Sequence, residues 1–533
     1  MPSQLLTGGV IHSPSDPFAT AMLIVDGDIA WIGDDAGASL HLTEADEVIA
    51  LQGALVTPAF VDAHIHATST GLLLTGLDLS GCRSLAEMVD RLRRHPVETG
   101  LLLGHGWDET HWPEGRAPTS TDIDAVIGDR PCYISRVDVH SAVVSSSLRR
   151  DHPDLASLAG YDADGPLSAA AHHRVRDSAL GQVGESQRAD AQLTTLRHAA
   201  SLGIASVHEM AGPTISSESD LLALLALSRE PGMPEVVGYW GELHGHERAV
   251  ALGARGAAGD LFVDGSLGSH TACLRMPYAD DPAGIGRAYL DAEQVATHVA
   301  ESTRRGLQAG FHVIGDGAHD IVMSGYARAA DAVGADAIVR SRHRLEHVEM
   351  PDAAQITAMA DLGIIASVQS AFDAEWGGPG GMYVARLGAS RASGLNPFAA
   401  MVASGVTLAL GSDAPVTPLD PWGSVRAAAF HRNPAHRISV RAAFAAHTRG
   451  GRRAAGEESR EPGVLAVGTP ATYAVWAPAP LVVQAPDDRV AAWSTDPRSG
   501  TPGLPDLTPG RALPACWRTV RRGNVIFDAG ALE

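Results

Sequence analysis

Lysine is absent from the 533 residues; all 40 basic side chains are arginine. That removes a lysine nucleophile, a Schiff base and a metal-bridging carbamate from the chemistry open to this chain. Cysteine is scarce. Cys82, Cys132, Cys273 and Cys516 lie far apart with no Cys-x-x-Cys pair, which argues against a disulfide framework and a cysteine-based zinc site. No run of about 18 apolar residues occurs, so no membrane-spanning helix is expected. The N-terminal Met-Pro-Ser-Gln-Leu-Leu has neither a basic start nor a long apolar stretch; no signal peptide is expected, and a reducing cytoplasm is the default location. No Gly-x-Gly-x-x-Gly follows a strand-like run, and neither a P-loop nor a Gly-x-Ser-x-Gly elbow is present. Those absences weigh against a nucleotide crevice and against a serine hydrolase. The formal net charge of −22 makes nucleic acid and anionic membrane surfaces poor partners.

What is present fits a large globular protein: 45% hydrophobic and 19% charged residues support a sizeable core, and the length favours two or more domains. Residues 20–33 place two apolar runs around Asp26-Gly27, a hairpin signal. Residues 515–528 repeat the strand–turn–strand pattern, and 472–477 read as a further strand. Both ends are therefore expected to pair into one small β-sandwich domain, residues 1–57 with 460–533; the alternative is two unrelated edge hairpins. Between them, residues 58–459 alternate strands (204–208, 261–264, 308–314, 344–348, 364–368, 406–411) with helices (about 189–202, 293–306, 351–362). This α/β alternation implies a parallel sheet, and its length favours a closed (β/α)8 TIM-like barrel over an open doubly wound sheet. Residues 70–185, rich in Gly, Pro, Asp and His, are too long for one loop and helix, and read as a subdomain inserted after the first strand.

His64 and His66 end the apolar run 53–66, directly before a turn-rich stretch. Residues two apart on a strand point the same way, so two imidazoles leave one edge side by side, as two ligands of one divalent metal would. His312, His347 and Asp413 also fall at or just after the ends of predicted strands. Taken singly, the two histidines read as hydrogen-bonded structural residues and Asp413 as a helix N-cap. Their shared position overturns those readings, because in a parallel barrel all such ends lie on the face where active sites are built. His208, His270 and Asp316 lie near the same edge and are weaker candidates.

Several stretches together resemble the amidohydrolase superfamily, in its amidohydrolase-3 (YtcJ-like) branch. They are Thr57-Pro-Ala-Phe-Val-Asp-Ala-His-Ile-His66, Asp264-Gly-Ser-Leu-Gly-Ser269, His312-Val-Ile-Gly-Asp316, Arg344-Leu-Glu-His347 and Gly411-Ser-Asp-Ala-Pro415, with Gly106-Trp-Asp-Glu109 and His140-Ser-Ala-Val143 in the insertion. The resemblance implies that His64, His66 and Asp413 hold one metal, and that His312 and His347 hold a second or orient the substrate carbonyl. It implies hydrolysis of an amide-type carbon–nitrogen bond by a metal-activated water, with Asp413 moving the proton and His312 helping to stabilise the oxyanion. The branch commonly reads Lys-Leu-Phe-x-Asp-Gly where this chain has Asp260-Leu-Phe-Val-Asp-Gly265, which makes Asp260 the candidate bridging ligand. Without the lysine, a single ion on His64, His66, Asp413 and one further ligand is favoured over a pair. Where the branch has a glutamate, this chain has Ser168-Ala-Ala-Ala-His172; His172, or its neighbour His173, is expected in the substrate site together with Trp107 and His140.

The expected cofactor is zinc, with iron or manganese open, because His and carboxylate ligands suit several divalent metals. The expected partner is a small-molecule substrate, with a homodimer suggested by size alone. Two other readings stay open: the same site cleaving an ester, lactone or phosphoester, and a catalytically silent barrel serving as a scaffold.

Overall fold

The computed structural model describes residues 2–96, 100–457, 462–484, 493–494 and 502–532. The expected domain boundary at 459/460 lies outside these residues. The middle of the chain is a mixed α/β fold. Its eight parallel strands are Phe60–Ile65, Ile204–Ala211, Glu235–Trp240, Gly256–Ala257, Gln308–Val313, Arg344–His347, Ile365–Val368 and Leu408–Leu410. The first three form one hydrogen-bonded sheet and the other five a second. Backbone hydrogen bonds also join the two sheets at both seams. At one, the Arg255 N–H donates to the Gly238 carbonyl (2.8 Å); at the other, the Asp413 N–H donates to the His64 carbonyl and the His66 N–H to the Ala414 carbonyl, each at 2.8 Å.

All six residues of the first and of the fifth strand are buried, as for strands covered on both faces. Phe60, Ile65, Val207, Phe311, Leu345, Val368 and Leu410 share one apolar cluster with residues of the surrounding helices. Two of those helices begin at capping boxes that the sequence spells out: Asp291 with Gln294, and Asp352 with Gln355.

Two strands differ from expectation. The fourth is Gly256–Ala257 rather than 261–264, where only an isolated bridge links Phe262 to His312. Two backbone bonds tie it there, His312 N–H to the Leu261 carbonyl and Val263 N–H to the His312 carbonyl (3.1 Å each), and beyond them Asp264 turns its carboxylate to the N–H groups of Ile314 (3.0 Å), Gly315 (2.8 Å) and Cys273 (2.8 Å). The third strand, Glu235–Trp240, was not anticipated; Gly238 interrupts its apolar pattern where Leu221 packs against it.

The two ends of the chain do pair. Strands Leu55–Pro58 and Tyr473–Trp476 are antiparallel neighbours, followed in the same sheet by Cys516–Arg521 and Asn524–Asp528. A second sheet contains the hairpin Ala21–Val25/Asp28–Gly33, whose turn residues Asp26 and Gly27 both have positive φ (52° and 87°). Leu6, Met22 and Ile24 of that sheet bury against Val56, Tyr473, Val475 and Val520 of the other. The segment after the first strand carries its own five-stranded sheet, which runs from Leu77–Asp78 at one edge to Leu167–Ser168 at the other.

The helix Ala67–Thr75 starts directly after His66 and fixes the strand end that carries both first-strand histidines. It lies so close to Glu185–Ser201 that a Cβ on Gly71 would sit 2.0 Å from the Ala191 carbonyl oxygen. Gly71→Ala should therefore destabilise the fold by about 1–3 kcal/mol through overpacking; urea unfolding checks this, and a neutral change would contradict the close approach.

Candidate metal centre

At one end of the eight strands, four imidazoles converge on two carboxylates. His64 and His66 point to the same side of the first strand, with Ile65 buried in the apolar cluster behind them. The Nε2 atoms of His64 and His66 lie 3.4 and 3.2 Å from Oδ2 of Asp260, and 3.3 and 3.2 Å from Oδ1 of Asp413. The other oxygen of Asp260, Oδ1, lies 3.5 Å from both His312 Nδ1 and His347 Nε2. Asp260 thus stands between two histidine pairs, one oxygen to each. Its side chain reaches because the backbone comes in: Gly259 is at φ +91°, and Gly241 packs so tightly on the Asp260 backbone that a Cβ there would be 2.9 Å from it.

Each imidazole is oriented by its other ring nitrogen. His64 Nδ1 donates to Glu346 (2.9 Å), His66 Nδ1 to the Met210 carbonyl (3.2 Å), His312 Nε2 to the Gly265 carbonyl (3.3 Å) and His347 Nδ1 to the Gln369 side-chain oxygen (2.8 Å). The inward-facing atoms then have nothing to bond. His64 Nε2, His312 Nδ1, His347 Nε2, Asp260 Oδ1 and Asp413 Oδ1 are all buried without a hydrogen-bond partner. Such a cost is borne where a partner arrives later, and five orphaned N and O atoms of ligand type fit a divalent cation. Three overlapping triads have ligand atoms within 4.8 Å of one another: His64–His66–Asp260, His64–His347–Asp413 and Asp260–His312–His347.

The electrostatics point the same way. Burial opposes charge on His66, but Asp260 and Asp413 outweigh it and lift its pKa to about 9; His64 is raised well above its ordinary value against the same penalty. Burial likewise opposes ionisation of Asp260 and Asp413, yet the facing histidines hold both carboxyls below the usual range. The carboxylates demand compensating positive charge, which a metal ion supplies in place of protons on the rings. The backbone is also strained here: His347 (φ 71°), Val348 (φ 50°) and Asp413 (φ 55°) are all left-handed, which is uncommon for non-glycine residues and more so for a β-branched one.

Beneath His64 lies a buried ion pair. Arg344, fully buried, donates to both oxygens of Glu346 (2.5 and 2.9 Å), to the Ala63 carbonyl (2.7 Å) and to Ser367 (2.9 Å). Burial opposes the charge on Glu346, but Arg344 and His64 together hold its carboxyl at about 2. His208 belongs to this layer: its Nδ1 faces Arg344 Nη1 at 3.2 Å.

A narrow cavity of about 20 Å³ lies over the ligands, with His140, His173, Arg176, Phe262 and Ile215 in its wall. His140 is there, its ring centroid 5.2 Å from that of His312. Trp107 and His172 are not. Trp107 is buried in an apolar cluster of the insertion, its indole N–H bonded to the Ile134 carbonyl. His172 is fully buried and bonded to the Tyr133 hydroxyl at 2.8 Å, because helical rotation turns its neighbour His173 to the cavity in its place. His270 pairs with Asp280, and Asp316 accepts the Arg275 N–H; neither touches the centre. Arg344 and Glu346 went unassigned in the sequence, although their spacing of two on a strand was signal enough for a same-face pair. Arg176 and Phe262 carried no such signal, whereas His173 stood beside His172 as the alternative.

Comparison with known proteins fits this geometry. The family described as "Amidohydrolase family" (Amidohydro_3) matches residues 47–527. The Bacillus subtilis (strain 168) protein YtcJ, whose name assigns it provisionally to the amidohydrolases, is 26% identical over 418 residues, covering 73% of this chain and 75% of its own. An N-substituted formamide deformylase of Arthrobacter pascens is 21% identical over 437 residues, covering 76% and 78%. The crystal structure of a metal-dependent hydrolase from Pyrococcus furiosus superposes with a TM-score of 0.68 at 26% identity, covering 89% of this chain and 98% of that one.

Glu346→Gln should weaken divalent-cation binding roughly 10- to 100-fold, because it strips the charge behind His64. Chelator competition reads this directly, and an unchanged affinity would contradict the orienting role of Glu346.

Proposed function

Because this chain belongs to the amidohydrolase family, we propose that it is a metal-dependent hydrolase of a non-peptide carbon–nitrogen bond in a small molecule: an amide, a formamide or a cyclic amide. The observation that carries this reading is the ring of five buried, unpartnered ligand atoms around Asp260. The deformylase named among the relatives and the metal dependence of the Pyrococcus hydrolase support it. The strand order, with its hydrogen-bonded seams, supports a closed (β/α)8 barrel over residues 58–459 that carries the 70–185 insertion; the paired terminal sheets support a β-sandwich of 1–57 and 460–533. We place the protein in the cytoplasm; no helix among the described residues is long and apolar enough to cross a membrane.

His64, His66, Asp413 and Oδ2 of Asp260 would hold one ion, and Asp260 is then the further ligand that the absent lysine left open. His312, His347 and Oδ1 of Asp260 offer three ligands to a second. Zinc suits this nitrogen and oxygen set, as do iron and manganese. When bound, the cation supplies Lewis-acid polarisation of a carbonyl and a water acidic enough to lose a proton near neutral pH. Asp413 accepts that proton at its carboxylate and returns it to the leaving nitrogen. His140, half-buried and held largely uncharged by desolvation, faces His312 across the cavity and presents its ring to the carbonyl oxygen. His312 orients that carbonyl from the opposite side.

A screen of N-acyl, formamide and cyclic amide compounds tests this, with amine or ammonia release as the readout. The wild-type protein should turn over members of the set, and Asp413→Asn should lower kcat by about 100-fold or more while the fold stays intact by circular dichroism. Turnover confined to matched esters, lactones or phosphoesters would overturn the bond assignment. A purified protein that neither binds a divalent metal nor turns over any of these would be a scaffold.

A further inference from the structure

Among the described residues, the buried arginines are paired with carboxylates, with one exception. Arg136 meets Asp108, Glu109 and Asp138; Arg344 meets Glu346; Arg452 meets Glu235 and Glu457. Arg176, on the insertion helix Ala169–Gly181, is only 8% exposed, yet no carboxylate among the described residues lies within ion-pair reach of it and none of its N–H groups donates to a protein acceptor. Asp177, beside it in sequence, lines the adjoining cavity instead. A guanidinium offers five donors in a planar fork, and that of Arg176 opens onto the cavity rather than onto a protein acceptor.

Its position says what the missing partner is. Arg176 lines the same cavity as His66, Asp260, His312, His347 and Asp413. Asp138, the other charged group in that wall, is already taken by Arg136 and by the hydroxyls of Ser266 and Ser269. With Asp138 engaged and Asp260 and Asp413 facing the histidines, Arg176 is left without a contacting carboxylate in the cavity wall. A second cavity, about 60 Å³ and walled by Leu72, Leu77 and Leu103, adjoins at Val139 and Arg176 and offers an apolar wall to a side chain.

We propose that Arg176 is a specificity residue that binds a substrate carboxylate, bidentate, while the amide carbonyl lies over the metal ligands. The substrate class is then an N-acyl or N-formyl amino acid, or a lactam acid, with an apolar side chain. This rests on the hydrolase reading but adds a charge requirement that the reading does not contain.

The test uses matched pairs: N-formylleucine, N-acetylleucine and a lactam acid, each as free carboxylate and as carboxamide, with wild type, Arg176→Gln and Arg176→Lys. Turnover is measured for all, and binding by calorimetry. Wild type should favour the carboxylate. Arg176→Gln should raise KM or Kd for the carboxylate roughly 10- to 100-fold, the loss of a charge-assisted pair, with kcat and the carboxamide within about twofold; Arg176→Lys should recover part of the loss. The proposal is overturned if no carboxylate binds or reacts better than its carboxamide, or if Arg176→Gln weakens both alike. Calorimetry separates the two readings: preferential carboxylate binding without turnover keeps Arg176 in its role and removes the hydrolase.

Discussion

One carboxylate facing four imidazoles is the constraint around which this site is built. Asp260 gives one oxygen to His64 and His66 and the other to His312 and His347, at 3.2–3.5 Å. In a buried site that arrangement is stable only if positive charge sits among the rings, on the imidazoles themselves or on a cation between them. The far nitrogen of every ring is already committed to Glu346, Met210, Gly265 or Gln369, so the near nitrogens cannot turn away to find another partner. The fold has therefore fixed the donor set before any ion arrives, which is preorganisation in the sense that matters for a metal site.

The layers below explain how that is held. Arg344, Glu346 and His64 form a line of alternating charge running from the strand interior to the ligand edge. Above it, His347, Val348 and Asp413 adopt left-handed backbone, tolerated because the flanking strands are anchored by their ladders and by the seam bond from Asp413 to His64. The strain falls where strands end and side chains must be re-aimed from the sheet direction toward a common centre. The loop at Asp260 achieves the same re-aiming by using Gly259 and Gly241.

The legible part of this protein was whatever repeats with a period or turns on a local signal. Alternating strands and helices, the Asp26-Gly27 turn and the pairing of the two terminal segments follow from local pattern, as does the placing of five ligand-type residues near strand ends. The third strand escaped because Gly238 breaks its apolar run, and the fourth was misplaced because 261–264 looks like a strand while its Asp264 spends its carboxylate on the next strand's end. The absence of lysine was read as favouring one ion, since an aspartate is shorter than a carbamate. Reach depends on where the backbone runs, and the approach at Gly241 is a tertiary fact with no local signature. Trp107 and His172 failed as pocket residues for a like reason: which face of the insertion meets the centre is set by its docking onto the strands, and that docking presents His173 and Arg176.

The most direct test of the account is anomalous X-ray scattering at the zinc edge from crystals of the zinc-loaded protein. The account predicts a peak within about 2.0–2.2 Å of His64 Nε2, His66 Nε2 and oxygens of Asp413 and Asp260, with any second peak on the His312–His347 side of the same Asp260 carboxylate. No peak at those atoms, or a metal bound elsewhere with Asp260 uncoordinated, would contradict it.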